Sequence, residues 1–184
     1  IVAATLLSAA AAAGGEVELL GTDHRHLSTV TAALMEAGCR VRSGEGRIHL
    51  RRDRPLKGVY PIHTAPYPGF PTDAQPPVMA ALAGGEGTTV FVENIFESRY
   101  RHVDELCRMG ARIRVEGRVA VVCGAGRLHG ARLRAADLRG GAALVVGALG
   151  AEGRCEIEGL EHVDRGYHRL EDTLTALGAR IRRV

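Results

Sequence analysis

Three runs of the chain are apolar almost all round: Ala3–Ala13, Pro77–Ala83 and Ala142–Leu149. A helix with no polar face must be buried on every side. Alanine and glycine keep such helices thin, so three of them can pack closely at one centre. Each run leads into a glycine turn and a β-rich stretch, and then into a second helix of a different kind. Apolar residues there recur on one face only: Leu27, Val30 and Leu34 in the first case, Val103, Leu106 and Met109 in the second, Leu170, Leu174 and Leu177 in the third. Gly38, Gly110 and Gly178 then stand where a helix ends in the left-handed conformation. Arginine-alternating segments follow. Arg112-Ile113-Arg114-Val115, Val119 with Val121, and Arg180-Ile181-Arg182 read as half-exposed strands.

The order of these features repeats. Gly15 and Gly38 are 23 residues apart, as are Gly87 and Gly110, while Gly153 and Gly178 are 25 apart. Successive units begin 66 to 72 residues after one another, which divides the chain into three units of roughly 1–56, 57–127 and 128–184. The expected product is a single α/β domain with pseudo-threefold symmetry, central buried helices and outer sheets.

Composition narrows the class. Of 184 residues, 46% are hydrophobic and 24% charged, which excludes a disordered chain and a membrane bundle. Lys57 is the only lysine beside 23 arginines, yet the net charge is only +3 and aromatic residues make up 4%. A non-catalytic arginine-rich module for nucleic acid is therefore the remote alternative, lacking both the charge and the stacking surface it would need. Ile1–Gly15 is apolar but too short to span a bilayer and has no basic leader, so no membrane partner is expected. Cys39, Cys107, Cys123 and Cys155 match no zinc spacing and read as mostly buried thiols of a reducing, cytoplasmic compartment. His24 and His26 lack a third ligand, so no metal is expected, and Gly124-Ala125-Gly126 reads as a hairpin turn.

Three stretches break the repeat. Thr64–Asp73 (TAPYPGFPTD) is too rich in proline and glycine for a helix or central strand and forms a rigid loop ahead of the second apolar helix. Thr72 or Asp73 can be a plain N-cap there, or Asp73 can be a general base held at the helix entrance. Asn94–His102 places Phe96 beside charge: a core anchor, or an apolar shelf for a planar ligand with Arg99 nearby. Asp137-Leu138-Arg139 and His162–Tyr167 flank the third apolar helix. They are either surface ion pairs or arginines set beside glycine to receive an anion bidentately.

At PYPGFPTD (66–73), IFESRYRHVDELCRMGA (95–111), ARLRAADLRGGAALVVGAL (131–149) and HVDRGYHRLEDTLTALGA (162–179) the chain resembles the UDP-N-acetylglucosamine 1-carboxyvinyltransferases, of the enolpyruvyl transferase family. The resemblance implies an inside-out α/β barrel of β-α-β-α-β-β units, here the second of two domains. The partner, N-terminal domain would carry the reactive cysteine. No cysteine of this chain matches that motif. It further implies phosphoenolpyruvate and UDP-N-acetylglucosamine as substrates and no cofactor. By the same resemblance Asp73 transfers protons, and Thr72, Ile95 and Phe96 touch the nucleotide sugar. Arg165 receives phosphoenolpyruvate as a second catalytic residue, and Arg99, Asp137 and Arg139 form the polar wall around the enolpyruvyl group. The chain departs from the family pattern at Ala74, Ser98, Gly140 and Gly141, and over Gly140–Ala143 it lacks the two hydroxyls of the family's Ala-Ser-Ala-Ser. A shikimate-pathway enolpyruvyl transferase or a divergent paralogue is the nearer alternative.

Overall fold

The three apolar runs are helices packed on one another: α1 (Val2–Ala13), α3 (Gln75–Ala83) and α5 (Leu138–Gly150) each touch the other two. Every residue of α3 is buried in the computed structural model, which describes all 184 residues, Ile1–Val184. The three run parallel. The last turns of all three line one cavity of about 540 Å³, with Arg52 and Arg127 at its rim. Their first turns gather at the opposite end. Small residues make this packing close: a Cβ added at Gly150 of α5 would lie 2.7 Å from the backbone oxygen of Ala12 in α1.

Outside the helices lie three sheets. The first holds β1 (Gly15–Leu20), β2 (Arg40–Gly44) and β3 (Arg47–Arg52) in the order β1-β3-β2, all antiparallel. The second holds β4 (Ile62–His63), β5 (Thr88–Val92), β6 (Arg112–Glu116) and β7 (Val119–Cys123) in the order β4-β5-β7-β6. The third has only β8 (Arg132–Arg134) and β9 (Glu156–Glu158), paired in parallel. Alternation decides the faces: Phe91, Ala120 and Val122 face the helices, whereas Val115 and Val119 remain over a third exposed. The amphipathic helices α2 (Ser28–Glu36) and α4 (Val103–Arg108) bury Leu27, Val30 and Leu34, and Val103, Leu106 and Met109, respectively. No helix is long and apolar enough to cross a membrane.

Several expectations need correcting. Arg180-Ile181-Arg182 is not a strand. A strand requires an adjacent backbone to pair with, and the middle position filled by β3 and β7 in the other sheets is here an open groove. That groove, about 1060 Å³, lies between β9 and residues 179–184. The three sheets share no strand pairs, so they do not close a barrel among these residues. The third amphipathic helix is broken into α6 (Leu160–Asp164) and α7 (Leu170–Ala176), with Arg169 at φ 46° between them. Leu177 falls outside α7 and is 54% exposed. Gly124–Gly126 joins no hairpin; it leaves β7 and runs alongside the Ala83–Gly87 turn, to which its three amides bond. The hairpin turns are at Glu45–Gly46 and at Gly117, where positive φ is required. Of the four free cysteines only Cys39 is buried, and burial pushes its thiol up to about 11. Cys123 takes an outward phase of β7, which alternation predicts.

Candidate active site

The first turns of the three central helices meet the irregular stretches singled out above. Ahead of α3, the 64–73 loop is closed on itself: Ala65 N–H donates to Phe70 O at 3.0 Å and Gly69 N–H to Pro66 O at 2.7 Å. Gly69 is needed for this closeness, since a Cβ there would lie 2.5 Å from that of Ala65. The Tyr67–Pro68 peptide is cis. Neither Thr72 nor Asp73 caps α3; the N-cap is Ala74 and it makes no side-chain cap. Asp73 instead accepts from Arg99 Nη2 at 2.6 Å and from Arg139 Nη2 at 3.3 Å, with Arg139 Nε a further 3.0 Å contact without hydrogen-bond alignment.

This is a charged cluster with cationic surplus. The Arg99 and Arg139 side chains are 17% and 14% exposed, and they share one carboxylate. Burial alone would raise the Asp73 carboxyl, but the hydrogen bond and charge of Arg139, then those of Arg99, hold it below its ordinary value. Asp73 is therefore ionised at neutral pH. The positive ends of the α3 and α5 helix dipoles point the same way. The two guanidiniums together carry one more positive charge than Asp73 offsets. Such a site suits a small anion.

The remaining residues divide. Asp137 caps α5, its Oδ1 accepting from Gly140 N–H at 2.8 Å, which identifies the local reason for an aspartate there. Phe96 lies under Arg99, whose guanidinium carbon is 5.3 Å from the ring centroid. Ile95 and Phe96 are 37% and 51% exposed, an apolar shelf rather than a core anchor. Arg165 ends α6, is exposed and makes no ion pair. Its neighbours bring it to the same end of the molecule: a Cβ at Gly166 would lie 2.8 Å from Leu138 in the first turn of α5, and Tyr167 Oη is 2.8 Å from Thr5 Oγ1 near the start of α1. Asp73, Arg99 and Arg139 are thus joined directly, and Arg165 lies at the same end of the molecule without touching them. No group of three His, Cys, Asp or Glu side chains is placed to hold a metal.

Two buried polar residues at this end escape the motif reading. Glu93, 1% exposed, follows β5. The inward alternation Thr89, Phe91, Glu93 could have revealed it. His102, 3% exposed, is in helical phase with Leu106 and Met109 and lies against Gly140, whose added Cβ would be 3.1 Å from that of His102. Neither ring nitrogen has a hydrogen-bond partner. Burial, opposed by the charge of Asp137 and aided by that of Arg99, pushes the imidazole down to about 4. The unfolded chain binds a proton below about pH 6.5 that the folded one refuses until about pH 4. This term leaves stability intact above pH 6.5 and removes about 3 kcal/mol as pH falls through that window. Urea unfolding at pH 7 and pH 4.5 should show His102→Leu losing less stability between the two than the parent; equal losses would contradict a neutral buried imidazole.

Comparison with known proteins gives the site its context. A family model described as EPSP synthase (3-phosphoshikimate 1-carboxyvinyltransferase) matches residues 1–174. Over its whole length the chain is 54% identical to a UDP-N-acetylglucosamine 1-carboxyvinyltransferase of Desulfofundulus thermocisternus, covering 75% of that protein. It is 48% identical to UDP-N-acetylglucosamine 1-carboxyvinyltransferase 2 of Clostridium acetobutylicum, but covers only 44% of it. The chain thus spans less than half the length of several curated relatives it matches. The crystal structure of the enolpyruvyl transferase NikO from Streptomyces tendae superposes with a TM-score of 0.83 at 29% identity, over 97% of this chain and 43% of that one. EPSP synthase from Acinetobacter baumannii, at TM-score 0.61 and 16% identity over 89% of this chain and 42% of that one, shares the fold.

Proposed function

Because the chain belongs to the EPSP synthase family of enolpyruvyl transferases, we propose that it is one domain of a UDP-N-acetylglucosamine 1-carboxyvinyltransferase. That enzyme moves the enolpyruvyl group of phosphoenolpyruvate to the 3-hydroxyl of UDP-N-acetylglucosamine and releases phosphate, the first committed step of peptidoglycan synthesis. The observation that carries the proposal is the convergence of Arg99 and Arg139 on Asp73 at the first turns of α3 and α5.

In this reading Asp73, kept ionised by the two arginines, accepts the proton of the sugar 3-hydroxyl as its oxygen bonds to C2 of phosphoenolpyruvate. C3 gains a proton from an acid on the facing domain. Elimination then returns a proton from C3 to that group and breaks the C2–O bond to phosphate, which leaves with the proton held by Asp73, restoring the double bond and the ionised carboxylate. Arg165, without a partner in the fold, receives the phosphoenolpyruvate anion, and Arg99 and Arg139 stabilise its carboxylate and phosphate charge. Asp137 holds the first turn of α5, and hence Arg139, in place. Ile95 and Phe96 form the shelf for the nucleotide, with Thr72 beside Asp73.

The rest of the polypeptide would meet this domain on two surfaces, the arginine-lined end and the groove beside β9. A strand laid in that groove would complete the third β-α-β-α-β-β unit and the inside-out barrel. The proposed units of the domain are 1–56, 57–127 and 128–184. The four free thiols suit a cytoplasmic enzyme. The 54% identity to a UDP-sugar enzyme favours this acceptor over shikimate phosphate.

The test is calorimetry and phosphate release. The 184 residues alone should bind UDP-N-acetylglucosamine weakly, be competed by UDP-sugars and not by shikimate phosphate, and release no phosphate from phosphoenolpyruvate. Appreciable turnover by the isolated domain would overturn the two-domain reading.

A further inference from the structure

A carboxylate at 1% exposure is costly unless every lone pair is used, and Glu93 uses its own in an unusual way. It makes no ion pair. Its compensation comes from four hydrogen bonds delivered by two separate loops. Oε1 accepts from Thr64 Oγ1 at 2.9 Å, from Ile95 N–H at 2.9 Å and from Phe96 N–H at 3.0 Å. Oε2 accepts from Thr72 Oγ1 at 3.0 Å. The Thr64 hydroxyl in turn accepts from Asn94 N–H at 2.8 Å, and Asn94 Nδ2 donates to Thr64 O at 3.1 Å. Arg118 reaches only the backbone oxygen of Glu93, at 3.4 Å.

The consequences reach the surface on both sides. Thr72 immediately precedes Asp73, so the Oε2 bond sets the position of the base. The Oε1 bonds take both amides of the 95–96 turn, and with them hold Ile95 and Phe96 outward. Burying those side chains would be worth about 1.5–3 kcal/mol each, so their exposure has to be enforced. With their amides occupied, the two residues can meet a ligand only through side chains and carbonyl oxygens.

We infer that Glu93 is a positioning residue for nucleotide-sugar binding, its buried carboxylate locking the apolar shelf of Ile95 and Phe96 at a fixed separation from Asp73. The inference rests on the functional reading above and adds to it a residue that touches no substrate. A nucleotide sugar spans shelf and base together, whereas phosphoenolpyruvate meets only the arginine end. Loss of the lock should therefore weaken one substrate and spare the other.

The experiment uses the full-length enzyme. Glu93→Ala is expected to raise KM for UDP-N-acetylglucosamine about tenfold or more, while KM for phosphoenolpyruvate changes less than about twofold. Glu93→Gln should recover UDP-sugar KM to within about threefold of the parent, because its amide oxygen can serve the Oε1 donors and its NH2 can donate to Thr72 Oγ1. Hydrogen exchange at the Ile95 and Phe96 amides should accelerate strongly in Glu93→Ala and little in Glu93→Gln. Equal changes in both KM values, or an unchanged UDP-sugar KM in a folded Glu93→Ala, overturn the inference. If Glu93→Ala does not fold, Thr64→Val removes the hydroxyl that donates to Oε1, at a residue assigned no substrate contact; it should raise UDP-sugar KM about threefold, and no rise overturns the inference. A parent protein with no turnover of the two substrates would sink the functional reading instead. Exchange at the two amides would still report the lock, and unchanged exchange in Glu93→Ala would refute it.

Discussion

Asp73→Ala in the full-length enzyme should lower kcat by about three orders of magnitude while leaving phosphoenolpyruvate binding intact or tighter. The reasoning follows from the charges. Asp73 is the one carboxylate bonded to Arg99 and Arg139. Removing it deletes the proton acceptor and frees two partly buried guanidiniums for an anionic substrate. A purely structural Asp73 would act differently, since its loss would let Arg99 and Arg139 drift from their places and raise KM for the anion with any fall in kcat. Asp73→Asn separates the cases further. It keeps acceptor geometry at one oxygen but loses the charge that pairs with both arginines, so it should melt modestly lower while staying folded, and because it cannot take a proton it should be as inactive as the alanine variant. Steady-state kinetics with both substrates checks this; near-normal kcat in Asp73→Asn would remove the proton-transfer role. The lowered carboxyl of Asp73 has a matching linkage sign. Its stabilising pairing is complete above the ordinary carboxylate range and fades as pH falls through the lowered value.

Much of this was legible in the residues, for reasons that differ by element. The central helices could be read because Ala/Gly runs without a polar face admit only one environment, and the parallel triplet of α1, α3 and α5 follows. Gly38, Gly110 and Gly178 could be read as helix ends because each takes φ near 90–107°. Arg180-Ile181-Arg182 misled because alternation is local whereas strand pairing is not. The same pattern forms β6 beside β7 and forms nothing beside an empty groove. Asp137 could be read as half of a surface ion pair or as part of the site, and its bond to Gly140 shows instead that it caps α5. Glu93 and His102 were hidden for a different reason. Burial of Glu93 is readable from the inward alternation of β5, but the distant partners, Thr64 and Thr72 for the one and Gly140 for the other, lie 20 to 40 positions away, outside any local window.

The largest structural effect is expected from Gly130→Ala. Gly130 does not have positive φ, so alanine meets no conformational penalty and the cost is contact alone. A Cβ there would sit 2.4 Å from Arg154 O, 2.7 Å from Arg154 N and 3.0 Å from Arg154 C, all backbone. Neither segment can yield easily. Gly130 N–H donates to Glu152 O at 2.7 Å, Glu152 N–H to Leu128 O at 2.9 Å and Glu156 N–H to Ala131 O at 3.0 Å. The same crossing occurs one unit earlier, where a Cβ at Gly58 would lie 2.4 Å from Thr88 O, and the two glycines are 72 residues apart, within the 66-to-72-residue range of the repeat. Overpacking against pinned backbone should cost about 3 kcal/mol, a fall in Tm on the order of 10 °C for a chain of this size. Gly46→Ala is the comparator. Gly46 has φ 73° and no neighbour within 4 Å, so only the left-handed penalty of about 1–2 kcal/mol applies. Gly130→Ala should therefore melt well below Gly46→Ala, and the reverse order would refute the contact argument. The displacement should also reach the site. Gly130 feeds β8, β8 leads directly to Asp137 and α5, and a shift of about 1 Å there carries Arg139 away from Asp73, enough for a loss of about 100-fold in turnover. Kinetics on the surviving folded fraction should show that loss in Gly130→Ala and not in Gly46→Ala.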